Sequence, residues 1–185
     1  MQLGSSVGIT KIKAFKDLAG AVEFAFRFDS RVMIEKGVDR AREIVCGVLG
    51  SSLDSDASVP GEVKPKGKHE FYDYEAKYLD NNGMDFVVPA PLSGKTGLKM
   101  RELSVDIFNA LGCHGMARVD FLVDPKIETK FYFCEINTIP GFTSHSLYPT
   151  LWKNTGLDPV KLSDRLVKLA FERQRVKARL KTVRK

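Results

Sequence analysis

A chain of 185 residues, 43% apolar and 28% charged, has the length and balance for one domain with a core of its own, or a domain with an appendage. Its net charge of +6 invites a nucleic-acid reading, but much of the excess lies in residues 173–185, where no aromatic side chain is interleaved to stack on bases; a solvated helix face is expected there and no nucleic-acid partner. No run reaches the roughly 18 apolar residues of a membrane span, the start lacks a signal-peptide pattern, and Cys46, Cys113 and Cys134 form no CxxC pair, so a cytoplasmic protein with reduced, buried thiols and no membrane partner is expected.

Over residues 11–28, apolar side chains recur at Ile12, Phe15, Leu18, Val22 and Phe26, which predicts a helix with one apolar face. Residues 31–38 and 42–49 are short β-branched runs parted by Asp39-Arg40 and predict two strands of one sheet. Over residues 51–82 the composition turns to Ser, Asp, Gly, Pro and Lys, with 59–63 as one strand-like island. A connection of that length is uncommon in a compact domain unless it is functional or disordered. Phe71-Tyr72-Asp73-Tyr74-Glu75-Ala76-Lys77-Tyr78 is too aromatic for a linker, so an active-site loop is expected. Leu103, Ile107 and Leu111 mark a helix over 98–111, residues 116–123 and 130–136 read as strands joined by a turn, and a last helix starts at Pro159. The class is α+β with a largely antiparallel sheet.

The last two strands carry the chemistry. With the turn centred near Ile127, antiparallel register sets Asp120 opposite Glu135 and Arg118 opposite Asn137, all on one face, with Val119, Phe121, Cys134 and Ile136 on the other. Two carboxylates directly opposite repel unless a cation or a shared proton compensates. Asp120, Glu135 and the Asn137 amide make a hard oxygen set suited to Mg²⁺ or Mn²⁺ beside phosphates, with Arg118 as a phosphoryl clamp. A plain salt bridge between Arg118 and the acids explains the spacing equally well. The next segment, Thr138-Ile139-Pro140-Gly141-Phe142-Thr143-Ser144-His145-Ser146-Leu147, favours a ligand site, because Gly141 permits close backbone approach. His145, with no partner evident in the sequence, reads as structural.

Four motifs in order, Gly4-Ser5-Ser6-Val7-Gly8, the 71–78 segment, Ala117-Arg118-Val119-Asp120-Phe121 and Glu135-Ile136-Asn137-Thr138-Ile139-Pro140-Gly141-Phe142-Thr143, resemble the D-alanine–D-alanine ligases of the ATP-grasp superfamily. The resemblance runs from residue 3 to about residue 170. It implies the C-terminal part of an ATP-grasp fold, with helices flanking the sheet. Residues 1–50 would be the remainder of the central ATP-binding subdomain, and 51–185 a catalytic subdomain with an omega-type loop over 64–82.

The resemblance also implies site roles. Asp120, Glu135 and Asn137 would hold two Mg²⁺ (or Mn²⁺) ions on ATP. Glu35, Lys36 and Val38 would line the adenine, Glu43 would hold the ribose, and Lys77 and Ser6 would lie near the phosphates. Tyr78 would close the loop onto Ser5, and a Tyr there favours D-alanine over D-lactate as acceptor. Arg118 and the Gly141 amide would stabilise the oxyanion, and Ser146 with the Leu147 amide would hold the acceptor carboxylate.

The implied reaction joins two D-alanines through an acyl phosphate at the cost of ATP, for peptidoglycan and hence cell shape. A lysine that family members carry shortly before the glycine-rich loop is absent, as is the preceding half. The expectation is therefore a fragment inactive alone, whose partners are D-alanine, ATP, the missing half and, as is common in the family, a second copy in a homodimer. Two other readings are a different ATP-grasp carboxylate–amine ligase and a non-catalytic nucleotide-binding remnant.

Overall fold

A computed structural model describes residues 7–65 and 84–180. Ser5, Ser6, Lys77 and Tyr78, and with them the 71–78 motif, lie outside the described residues. The described chain divides into two compact units, one of residues 7–40, 64, 65, 84 and 85, the other of 41–63 and 86–180.

In the first unit a 3-10 turn, Phe15–Asp17, leads into α1, Leu18–Ala25. This helix is shorter than the 11–28 span expected. Asp17 stands at its N-cap without making a side-chain cap bond, and Gly20 lowers helix propensity within it. Residues 31–38 form no strand, and no ladder partner for them exists among the described residues. Their β-branched composition favours a pleated, half-buried surface, but a strand also needs a neighbour. Lys11 Nζ donates to Asp39 Oδ1 at 3.1 Å, and that lysine holds the Asp39 carboxyl below its ordinary range. The next residue, Arg40, has φ 48°, in the left-handed region.

The second unit is built on β1 (Arg42–Ser51), β2 (Asp54–Ala57), β3 (Gly61–Pro65), β4 (Met84–Val87), β5 (Gly115–Val123) and β6 (Phe131–Asn137), with the ends of β3 and β4 passing to the first unit. Its helices are α2 (Gly94–Ala110), α3 (Leu147–Asn154) and α4 (Pro159–Ala178). The sheet order is β4-β3-β1-β5-β6, with β2 also on β1. The ladders of β1 with β2, β3 and β5, and of β5 with β6, are antiparallel, as expected.

One edge of β1 is shared. Val48–Ser51 pair with β2 and Glu43–Val45 with β3. Ser58 bridges the gap, its N–H donating to the Gly47 carbonyl at 2.8 Å and its Oγ accepting from the Gly47 N–H at 2.9 Å. The other edge pairs with β5 from Arg42 to Gly50.

Alternation splits β1 between two faces. Ile44, Cys46 and Val48 join Ala117, Val119, Phe121 and Val123 of β5 in a core closed by Met100 and Phe108 of α2. Leu49 faces the other way, into a second cluster with Tyr148 and Trp152 of α3 and Leu162 and Leu169 of α4. Both long helices have N-terminal caps. Ser93 Oγ accepts from Thr96 N at 3.3 Å, and Asp158 Oδ1 accepts from Val160 N and Lys161 N at 3.0 Å each.

β2, β4 and α3 were not anticipated, and the cysteine expectation holds in part. Cys46 is buried, and desolvation pushes its thiol up to about 12, whereas Cys113 is half-buried and Cys134 exposed. Among the described residues no helix is long and apolar enough to cross a membrane.

Candidate active site

On the face of the sheet opposite α2, the predicted register is present. Arg118 pairs with Asn137 and Asp120 with Glu135. Beyond Asp120 the ladder shifts by one residue and Phe121 pairs with Phe133, leaving Cys134 as the extra residue of a β-bulge. This corrects the expected sharing of a face by Phe121 and Cys134. Strict alternation would put Phe133 with Glu135, but the bulge brings Phe133 opposite the buried Phe121, and Phe131 packs edge-on against Phe121 with ring centroids 5.7 Å apart. The acids therefore stay on one face while the aromatics just before them pair with the core face.

Arg118 compensates the facing carboxylates. Its Nε and an Nη donate to the two oxygens of Asp120 at 2.7 Å each, and the same Nη lies 3.7 Å from Glu135 Oε1. The side chains of Arg118 and Asp120 are only 12% and 17% exposed, so this is no surface pair, while Glu135 is 57% exposed. Glu43 is on this face too. It lies two positions from Val45, whose ladder partner is Asp120.

The donor set suits a divalent cation. Among the described residues no three His, Cys, Asp or Glu side chains cluster as a metal site. The protein would thus supply two carboxylates and one amide oxygen, and Mg²⁺ commonly takes only one or two carboxylates and completes its shell from water and phosphates. Asn137 Oδ1 accepts from Ile139 N at 3.0 Å, which leaves a lone pair of the amide oxygen for a ligand.

The following loop folds back on itself beside α3. Ser146 precedes that helix but makes no side-chain cap bond to it. Its Oγ instead accepts from Thr143 N and bonds Thr143 Oγ1, both at 2.9 Å. A Cβ on Gly141 would sit 2.9 Å from Ser146 Oγ, so Gly141 and Ser146 adjoin. Leu147 opens α3 with its side chain buried, and its amide belongs to the helix's positive end. His145 is exposed.

Arg118, Asp120, Glu135 and Asn137 are thus brought together on the strands, Gly141 and Ser146 on the loop that follows, and Leu147 at the start of α3. Glu35, Lys36 and Val38 lie in the first unit, the first two exposed and Val38 half-buried. Sequence reasoning missed Arg42, whose guanidinium clamps the buried Glu62 at 2.9 and 3.0 Å and reaches the Pro91 carbonyl at 3.1 Å. It also missed Tyr148, which donates to the Val48 carbonyl at 2.9 Å. The signal for the helix was there, in the i,i+4 pairs Leu147/Leu151 and Tyr148/Trp152, with Pro149 confined to the first turn where proline is tolerated.

The family described as D-ala D-ala ligase C-terminus matches the chain over residues 1–168. A D-alanine–D-alanine ligase of Thermoanaerobacter sp. (strain X514) is 46% identical over 177 residues, covering 96% of this chain and 48% of that protein. Ligase A of Escherichia coli (strain K12) is 43% identical over 179 residues, covering 97% and 48%. Among solved structures, the D-alanine–D-alanine ligase from Coxiella burnetii superposes with TM-score 0.79 at 36% identity, over 95% of this chain and 44% of that one. The VanG D-Ala:D-Ser ligase from Enterococcus faecalis gives 0.75 at 36% identity, over 90% and 46%. An antiparallel sheet flanked by helices and superposing on such ligases is the C-terminal part of an ATP-grasp fold. The chain belongs to the D-alanine–D-alanine ligase family, in its C-terminal part, and spans about half the length of the relatives it matches.

Proposed function

We propose that this chain is the catalytic C-terminal half of an ATP-dependent D-alanine–D-alanine ligase. The observation that carries the reading is the face shared by Arg118, Asp120, Glu135 and Asn137, followed at once by the Gly141–Ser146 fold-back. In this reading the first unit, with Glu35, Lys36 and Val38, belongs to the central ATP-binding subdomain, and Glu43 of β1 holds the ribose. Asp120, Glu135 and Asn137 would hold two Mg²⁺ or Mn²⁺ ions, which would supply neutralisation of phosphate charge. Ser5, Ser6, Lys77 and Tyr78 are proposed to complete the phosphate side.

The chain's own residues then position and exclude. A D-alanine carboxylate attacks the γ-phosphorus of ATP, giving an acyl phosphate and releasing ADP. A second D-alanine, its carboxylate held by Ser146 and the Leu147 amide, attacks the activated carbonyl with its amine, and the C–N bond forms as inorganic phosphate leaves. Arg118 and the Gly141 amide stabilise the oxyanion that forms there. Exclusion of water protects the acyl phosphate from hydrolysis. The product would feed peptidoglycan, in the cytoplasm, from a protein that also contains the preceding half and can pair as a homodimer.

The test is ADP release from Mg·ATP with D-alanine, D-serine or D-lactate as acceptor, in the chain alone and in the whole protein that carries it as its C-terminal half. The expected result is D-alanine-dependent release from the whole protein, none from the chain alone, and none from the whole protein with Glu135→Ala. Release that prefers D-serine would move the acceptor assignment to that of the VanG relative. Nucleotide binding without release from the whole protein would leave the non-catalytic reading.

A further inference from the structure

We propose that Tyr148 is a positioning residue that fixes the acceptor end of this site to the strand beside Arg118; the inference rests on the reading of the site just given. Tyr148 is 1% exposed, and its hydroxyl donates to the carbonyl of Val48 on β1 at 2.9 Å. The neighbouring strand residue, Gly47, is the ladder partner of Arg118. The tyrosine ring lies directly over that glycine. A Cβ there would come within 3.1 and 3.2 Å of two ring carbons of Tyr148 and 3.0 Å of Trp152 Nε1. Glycine at 47 therefore sets how closely α3 approaches the strand that carries the oxyanion-stabilising arginine at its side.

The same ring supports the loop. Phe142, next to Gly141, packs on Tyr148 with centroids 6.3 Å apart, and Trp152 packs on the same ring at 6.4 Å. The Tyr148 hydroxyl thus makes the polar tie to β1 at this end of α3. At the other end Thr155 Oγ1 accepts from Val59 N at 3.0 Å. The helix is pinned at both ends, and only the Tyr148 pin sits at the turn whose amides and whose neighbours Ser146 and Gly141 face the acceptor.

Two pins allow a test that separates positioning from stability. In the whole protein, Tyr148→Phe keeps the ring and removes the hydroxyl. A net hydrogen bond of about 1 kcal/mol corresponds to roughly a five-fold change in an equilibrium, so the acceptor KM is expected to rise about 3- to 10-fold, with kcat and the KM for ATP within about 2-fold of the parent. Thr155→Val, at the far pin, is expected to lower the melting temperature while leaving the acceptor KM unchanged. If Tyr148→Phe only lowers the melting temperature and leaves the acceptor KM as it was, as Thr155→Val is expected to do, or shifts every kinetic constant together, the positioning role is overturned and the functional reading stands. A parent protein without D-alanine-dependent ADP release overturns both.

Discussion

Arg118 lies between two carboxylates of unequal exposure. It holds both oxygens of the sheltered Asp120 at hydrogen-bond distance, while Glu135 stays exposed and farther from it. A charged trio on adjacent strands is tolerable because opposite charges sit at hydrogen-bond distance in a partly dry place. Another single residue carries a penalty with no such offset. Arg40, with φ 48°, occupies a conformation that costs an L-residue about 1–2 kcal/mol, and its nearest acid, Asp39, is 3.8 Å away in an exposed pair worth little. Arg40→Gly relieves that strain, partly offset by the larger entropy of glycine in the unfolded chain. The expected net gain is about 0.5–1 kcal/mol, read from denaturant midpoints at unchanged slope.

At the scale of elements, the β5–β6 turn also serves as an accessory cap for α2. Glu128 accepts from Ser93 N at 3.3 and 3.2 Å and from Thr96 Oγ1 at 3.0 Å, so a residue of the hairpin holds the start of the helix that closes the core. Bonds from Ser93, then from Thr96, hold the Glu128 carboxyl below its usual 4.5. Because the folded-state value is the lower one, its contribution to stability is complete above the unfolded value and is lost as pH falls through the folded one. Melting temperature followed from about pH 6 to about pH 3 is expected to fall less steeply in Glu128→Gln than in the parent.

Elements were legible in the sequence where one face is apolar and a partner is near in the chain. β5, β6, the start of α4 and the facing of Asp120 and Glu135 all follow from alternation and a short turn. Residues 31–38 have the composition of a strand and none of its pairing. The reverse holds for β2, whose Asp54-Ser55-Asp56-Ala57 is a poor strand sequence made into one by the edge of β1 it lies against. Tyr148 was illegible as a site residue because its partner is a backbone carbonyl 100 residues away, and no side-chain pattern marks a carbonyl.

Over the whole molecule, buried area is distributed unevenly. None of residues 7–40 is buried, whereas Ile44, Cys46, Val48, Val119 and Phe121 are at most 1% exposed. Local stability tracks such packing. In hydrogen exchange, amides of residues 7–40 are expected to exchange well before those of β1 and β5; equal protection in both would show that the first unit draws its stability from something other than burial.

The same unevenness bears on the candidate site, whose arginine and acids stand on the well-packed unit while Glu35, Lys36 and Val38 stand on the other. The bulge at Cys134 has a consequence of its own. A strand counts by twos, and an aromatic and an acid two places apart belong, by that count, to the same side. One surplus residue resets the parity. What position 134 supplies is therefore an increment of chain: a spacer whose presence decides which way its neighbours look, whatever side chain it bears.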